Sequence, residues 1–368
     1  MSSQMRIIFC CLFSSLSLLI FVLAGCNREK IVDDIQMVSI LGFDKEDRDY
    51  IGTVLYSDYT EEQKQEKVYT LNGHEKNTKL ILKDINNQSP KPIEIGKLQL
   101  LIFSSNLAKE SISHFVKTIC RDPLIGSNLI IAVSEEPTEK LLNNLTREAN
   151  DYLPNLIEQN FKSGNVPVSN LQIFLFDYYG EGRDVSVPFI NINDNGKVEV
   201  DGYAVFKQDH LSLVLNQKEM LLYKILQARS MTGDITFKVR KEEQEGVAVF
   251  TSIYGEKTES VTKHESEPKV VYNITLDGMV KDYPGWLDLR RKENKQLLAK
   301  QLEKQIKNDL SKLLLKFQDH EVDPLGVGDL VRAHRKKWNE EEFYETIYPN
   351  VTFDIKLNVQ LHQSGIGE

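Results

Sequence analysis

The sequence predicts a chain that mixes strands and helices in two parts. The N-terminal part is built around a βαβ-like unit, and the C-terminal part combines antiparallel strands with one long amphipathic helix. Three observations predict this. Strand and helix patterns alternate between residues 97 and 162, which is the signature of a partly parallel sheet. From Ile235 to Val280 the pattern is extended throughout, as DITFKVR, GVAVFTSIYG and KVVYNITLDGMV. Residues 289–318 then carry Leu298, Leu302, Ile306, Leu310, Leu314 and Phe317 on one helical stripe, with Lys and Glu on the other faces.

The elements follow in chain order. Ile7 to Leu23 is an apolar run preceded by Arg6 and followed by Leu23-Ala24-Gly25-Cys26. A spanning helix needs roughly 20 apolar residues, so the run is marginal as an anchor. A charged start, an apolar middle and a small-residue end read instead as a secretory signal. The tetrapeptide resembles the lipobox of bacterial lipoproteins. There the cysteine thiol takes a diacylglyceryl group, the chain is cut just before it, and the new amino terminus is acylated. Residues 1–25 are therefore expected to be removed, and 26–34 to form a lipidated tether. Each buried acyl CH₂ contributes about 0.8 kcal/mol, so two chains hold far better than one.

Of the four cysteines, Cys10 and Cys11 leave with the signal and Cys26 is acylated. Cys120 is left alone, which excludes an internal disulfide and a cysteine zinc site. Its expected role is that of a small buried hydrophobe. About 340 residues remain, which suggests two or three domains. The formal charge of −9 becomes −10 once Arg6 is lost. An acidic surface fits nucleic acid poorly, and it leaves the lipid to hold the protein at an anionic membrane.

After the tether, two apolar runs flank DKEDRD and read as a hairpin. Residues 58–67 are polar and are expected to loop out. NTKLILKDINN reads as a short helix with Leu80, Ile81 and Ile85 inward, ended by Pro90-Lys91-Pro92. KLQLLIFSS is a strand, and LAKESISHFVKTIC a helix that turns Leu107, Ile112, Phe115, Val116 and Ile119 to one side. NLIIAVS is a second strand, and Pro137 opens a further helix, where its missing N–H costs nothing. Helical stretches near 151–162 and 169–178 follow.

SVPFININDNGKVEVDGYAVFKQDHLSLVLN changes the pattern to two or three strands joined at Asp194-Asn195-Gly196 and Gln208-Asp209-His210. Asn-Gly is a strong hairpin signal because both residues tolerate positive φ. A domain boundary is expected near 195. This gives an N-terminal domain over 35–195 and a C-terminal region over 196–368, split again near 265. Asn216 and Glu219 form a capping box ahead of a helix carrying Met220 to Leu226. The chain closes with NVTFDIKLNVQLHQSG, whose strict alternation marks a half-buried strand.

No motif argues for catalysis, a cofactor or a metal. NINDNGKVEVDG imitates a calcium loop through Asn191, Asn193, Asn195 and Gly196, but its twelfth position is Gly202 where a bidentate Glu is needed. It reads as the hairpin turn. His264-Glu265 has no second His four residues on, and no GxSxG or Walker loop occurs. Asp33-Asp34 and Glu340 to Glu342 read as solvated carboxylates.

In this order the pieces resemble the Ger(x)C family, the C-subunit lipoproteins of nutrient germinant receptors in endospore-forming bacteria. Cys26, Asp34, Ile35, Val38, Gly42, Phe43 and Asp44 fall at the family's N-terminal offsets. The chain departs at Asn27, Arg28 and Ile31, where the family prefers Trp, Asp and Glu, and at Lys97, where it prefers His. Further matches are Arg121-Asp122-Pro123, then Gly202, Ala204 and Phe206, then Asp323, Pro324, Gly326, Gly328 and Trp338, and a final strand ending at Gly365. Read by residue type alone, Gly42, Gly326 and Gly328 are expected at backbone turns. Arg121 to Pro123 is expected as a helix stop with a local ion pair, and Trp338 as a core or interdomain anchor.

The resemblance implies an α+β protein of distinct mixed domains, each a sheet with helices packed on it. It implies a non-enzymatic receptor subunit, lipid-anchored on the outer face of the spore's inner membrane. Its partners would be two integral-membrane subunits of the same receptor. The alternative is a solute-binding lipoprotein of a transporter, for which two lobes of like fold are expected. A surface-anchored hydrolase is a further rival, which a metal or an acid–base cluster in a cleft would favour.

Overall fold

The computed structural model describes residues 34–60, 65–118, 122–227, 232–262 and 267–362. Nine strands form the first sheet: β1 (Gln36–Glu46), β2 (Asp49–Thr60), β3 (Gln65–Glu75), β4 (Ile93–Glu94), β5 (Leu100–Ser104), β6 (Ile130–Ser134), β7 (Ser186–Ile192), β8 (Val198–Lys207) and β9 (His210–Asn216). Their order is β3-β2-β1-β5-β6-β7-β8-β9, with the short β4 also paired to β1. β1, β5, β6 and β7 run parallel, and antiparallel hairpins flank them on both sides.

β5 and β6 are buried at every position, because helices cover both faces of a parallel centre. Leu101 and Phe103 point into one core with helices Thr78–Gln88, Ser113–Thr118 and Leu171–Tyr179. Leu100 and Ile102 point into the other, with helices Thr138–Asn144 and Tyr152–Lys162. The period-2 alternation thus feeds two layers at once.

The second sheet has the order β10 (Gly233–Lys241), β11 (Gln244–Val261), β12 (Lys269–Asp282), β13 (Thr352–His362). Its first three strands are antiparallel, as the extended pattern predicts, and β13 returns parallel to β12. The connection includes the long helix Lys292–Asp319, whose predicted stripe is buried at all six positions. The helix packs on this sheet, and both edge strands bond to its flanks. On one side Gln301 exchanges hydrogen bonds with Arg240 N–H (2.9 Å) and Arg240 C=O (2.6 Å), and Gln305 accepts from Lys238 N–H (3.2 Å). On the other, Glu303 accepts from Val359 N–H (2.9 Å).

Several expectations need correction. The segment 58–67 does not loop out as a whole. β2 continues through Thr60 and β3 begins at Gln65. β3 itself, QEKVYTLNGHE, is a strand that the polar pattern hides. It lies at the sheet's edge, where charged residues are favoured because they discourage further pairing. Leu80 is 45% exposed, and Thr78 joins Ile81 and Ile85 on the buried side. The helix after β5 is two, Ser105–Glu110 and Ser113–Thr118. The β8–β9 turn breaks it, since Asp209 accepts from Ile112 N–H (3.0 Å) and Ser111 Oγ–H (2.5 Å).

The first sheet runs on across the domain boundary expected near 195. The Asn-Gly turn forms, with Asn193 Oδ1 accepting from Asn195 and Lys197 N–H (both 3.1 Å) and Gly196 at φ +75°. Beyond it β8 and β9 extend the same sheet. The reason is that these strands are two-faced. Ala204, Phe206 and Leu211 enter an N-terminal core, whereas Tyr203, Val205, Leu213 and Leu215 enter the C-terminal core with the second sheet and the long helix. The capping box then holds as predicted: Glu219 accepts from Asn216 N–H (3.1 Å), and Asn216 from Glu219 N–H (3.0 Å).

Candidate functional site: the junction of the two halves

Four segments meet where the halves join: Gly180–Ser186 ahead of β7, Lys207 at the end of β8, Val322–Arg332 after the long helix, and Glu340–Tyr348. At their centre is Asp323, fully buried. Its carboxylate accepts from Val327 N–H (2.8 Å) and Gly328 N–H (2.7 Å), which caps the helix Val327–Arg332. Its own N–H donates to Asp184 Oδ2 (2.7 Å), and its C=O accepts from Asp184 N–H (2.9 Å). Lys207 Nζ lies 3.5 Å from Asp184 and 3.5 Å from the centre of the Tyr344 ring.

Burial drives the electrostatics. It pushes the Asp323 carboxyl up to about 7, and the neighbouring Asp184 pushes the same way, while the two backbone N–H groups pull it down. Asp184 is likewise raised by burial, against the pull of Lys207 and of backbone N–H groups. Both carboxylates are occupied by backbone donors. The arrangement therefore holds segments together, and leaves neither group aimed at a substrate.

Around this pair lies an outer ring of charge. Arg183 pairs with Asp329 and with Asp177 (3.3 Å), and its guanidinium sits 4.4 Å from the Phe176 ring centre. Arg332 bridges Asp329 (2.7 Å) and Glu181 (3.5 Å). Glu340 accepts from Gly182 N–H (2.7 Å), and Gly182 C=O accepts from Asp329 N–H (2.9 Å). Beneath the ring, Tyr348 donates to Val322 C=O (2.7 Å) and Tyr223 to Pro324 C=O (3.0 Å).

The structure gathers Asp323, Gly326, Gly328 and Trp338 here. Gly326 does take the left-handed turn expected of it, at φ +70°. Gly328 does not. It sits inside a helix, and a Cβ there would stand 2.7 Å from Gly182 Cα, so close backbone approach is its purpose. Trp338 is half-buried against Phe343 (5.1 Å between ring centres) at the rim of the C-terminal core.

The other motif positions lie elsewhere. Gly42 is in mid-strand, where a Cβ would meet Thr138 at 2.5 Å. Asp44 accepts from Thr138 N–H (2.8 Å), Thr138 Oγ–H (2.7 Å) and Glu139 N–H (3.2 Å), so the two residues dock one helix N-terminus on β1. Asp122 accepts from Leu124 N–H (2.9 Å), and Pro123 is exposed beside it. Cys26, Asn27, Arg28, Ile31, Cys120, Arg121, His264-Glu265 and Gly365 lie outside the described residues.

Asp184, Arg183, Gly182 and Lys207 carry the junction and were not legible as site residues. The partners that tie them to the C-terminal half, Asp323, Asp329, Glu340 and Tyr344, are more than a hundred positions away in the chain. The only local hint is a charged EGRD ahead of an apolar strand. Among the described residues there is no cluster of His, Cys, Asp and Glu that could hold a metal, and no helix long and apolar enough to cross a membrane.

An α+β chain of two unlike sheets, locked through a buried carboxylate junction, is thus the class that the geometry defines. Residues 28–192 match the spore germination protein N-terminal domain, and residues 201–365 match the spore germination B3/GerAC-like C-terminal domain. The chain belongs to this spore germination GerAC family. It is 27% identical over 351 residues to the spore germination protein GerQC of Bacillus cereus, covering 94% of this chain and 96% of that one. Its fold is similar to the crystal structure of the GerBC protein, with a TM-score of 0.56 at 12% identity over 88% of this chain and 97% of the other.

Proposed function

We propose that this chain is the lipid-anchored C subunit of a spore nutrient germinant receptor. It acts without catalysis, together with two integral-membrane subunits of the same receptor, on the outer face of the spore's inner membrane. The observation that carries the reading is the two family domains in tandem along the chain, preceded by Leu23-Ala24-Gly25-Cys26. Cys26 bears the diacylglyceryl and acyl groups, and 26–34 is the tether. The rival solute-binding reading expects two lobes of like fold. The nine-stranded sheet and the four-stranded one are unlike in size and strand order.

In this reading the subunit clamps the complex through its folded surface, and the junction keeps the two halves in one relative pose. The division of the mature chain into 35–195 and 196–368 falls between the two matched family domains, and β8 and β9 carry the first sheet across it. The test is deletion of this subunit in spores that keep the other two. Loss of nutrient-triggered germination, with the membrane subunits reduced or unassembled, is expected. An assembled, fully responsive pair would contradict the clamp.

A further inference from the structure

The helix Leu171–Tyr179 reads LQIFLFDYY and is apolar almost all the way round. A helix of that kind is ordinarily enclosed by protein or lipid. Here Leu171 and Phe174 are buried, yet Phe176 is 58% and Tyr179 50% exposed. Val168, in the extended segment just before the helix's cap residue Asn170, is also exposed. On the neighbouring loop Leu124 is 58% exposed, held outward by the turn that Asp122 caps. Leu171 N–H donates to Leu129 C=O (2.7 Å), which brings the start of the helix to the start of β6.

The place of this face in the fold says what covers it. β1, β5 and β6 are adjacent and parallel, with Ile40 level with Leu100 and Leu100 with Ile130. Their first residues therefore share one end of the sheet, the end where the Leu124 loop and the helix begin. β1 starts at Gln36, ten residues after Cys26. At full extension those residues reach about 35 Å. The tether from Cys26 therefore enters the fold at this end of the sheet. The carboxylates bordering the face are engaged: Asp177 by Arg183 (3.3 Å), Glu181 by Arg332 (3.5 Å), Asp122 by a backbone N–H. An acidic protein can then approach an anionic surface here. Tyr is also suited to the boundary between lipid and water, and Phe and Leu to the apolar side of an interfacial contact.

We propose that the apolar face formed by Leu124, Val168, Phe176 and Tyr179 rests on the lipid surface to which Cys26 is tethered, as a second contact that orients the subunit. Two signals make a stable membrane attachment where one is marginal. The proposal rests on the lipidation put forward above.

The test uses the full-length lipidated chain with Cys120→Ser, in vesicles of phosphatidylethanolamine and phosphatidylglycerol. Intact mass first establishes the diacylglyceryl group on Cys26. An environment-sensitive fluorophore at Phe176→Cys, and separately at Leu124→Cys, is expected to shift to the blue and to lose intensity to brominated lipid. The same fluorophore at Val247→Cys, exposed on the second sheet, is expected to do neither. Lipidated, vesicle-bound protein with both test positions unquenched overturns the proposal and leaves the face to a protein partner. A chain without lipid on Cys26 that fails to bind removes the anchored reading, and this inference with it.

Discussion

Asp323 is fully buried at the junction and bonded to Asp184, Val327 and Gly328 through its own main chain and carboxylate. Its folded pKa, about 7, lies above the ordinary carboxylate value of 3.8 because burial disfavours the charge. The folded state therefore holds its proton more tightly than the unfolded one. The stability this group contributes is full below pH about 4 and is lost as pH rises towards 7. Asp323→Asn is expected to flatten that part of the stability–pH profile in denaturant titrations. It also gives up one acceptor for a buried N–H, at a cost of about 1–3 kcal/mol. The glycines make a second residue-scale prediction. Gly326→Ala meets only a left-handed φ, worth about 1–2 kcal/mol. Gly328→Ala drives a Cβ into the Gly182 backbone and must part the junction. Thermal melts should rank Gly328→Ala as clearly the worse.

At the scale of elements, the long helix is both the core of the second sheet and its edge guard. Leu310→Ala removes a fully buried side chain and should cost about 2–5 kcal/mol. Gln301→Ala with Gln305→Ala touches no core. It frees Arg240 and Lys238 N–H on β10, and an open strand edge invites pairing between chains. A small loss of stability with a marked rise in light scattering on warming is expected. Equal loss without aggregation would show that the edge is protected by other means. This helix was legible from its stripe of six apolar positions, and β5 and β6 from their unbroken apolar runs. β3 was not, because edge strands are polar by need. Nor was the break at Ser111-Ile112, because its cause is Asp209, almost a hundred residues on.

For the whole molecule, the shared strands matter most. β8 and β9 complete the first sheet with one face and the C-terminal core with the other. A local reading finds the Asn-Gly turn, because turn chemistry is a property of neighbours. Which sheet a strand joins is a property of the whole chain. The same limit applies to the junction: Asp323, Gly326 and Gly328 stand out in the sequence, whereas Asp184 and Lys207 acquire their role only in the fold. Two cores that share strands should unfold together, so a single transition by near- and far-ultraviolet circular dichroism is expected. A fragment ending at 195 should fail to fold, for want of β8 and β9. Two separated transitions would contradict the shared-core account.

Whether this chain is a tethered lipoprotein is decided by the intact mass of the protein extracted from its native membrane, beside a Cys26→Ala control. A chain beginning at Cys26 and carrying a diacylglyceryl group is expected, with both the lipid and membrane retention lost in the control. An unprocessed chain still carrying residues 1–25, or a Cys26→Ala protein retained as fully as the parent, would contradict the tethered reading.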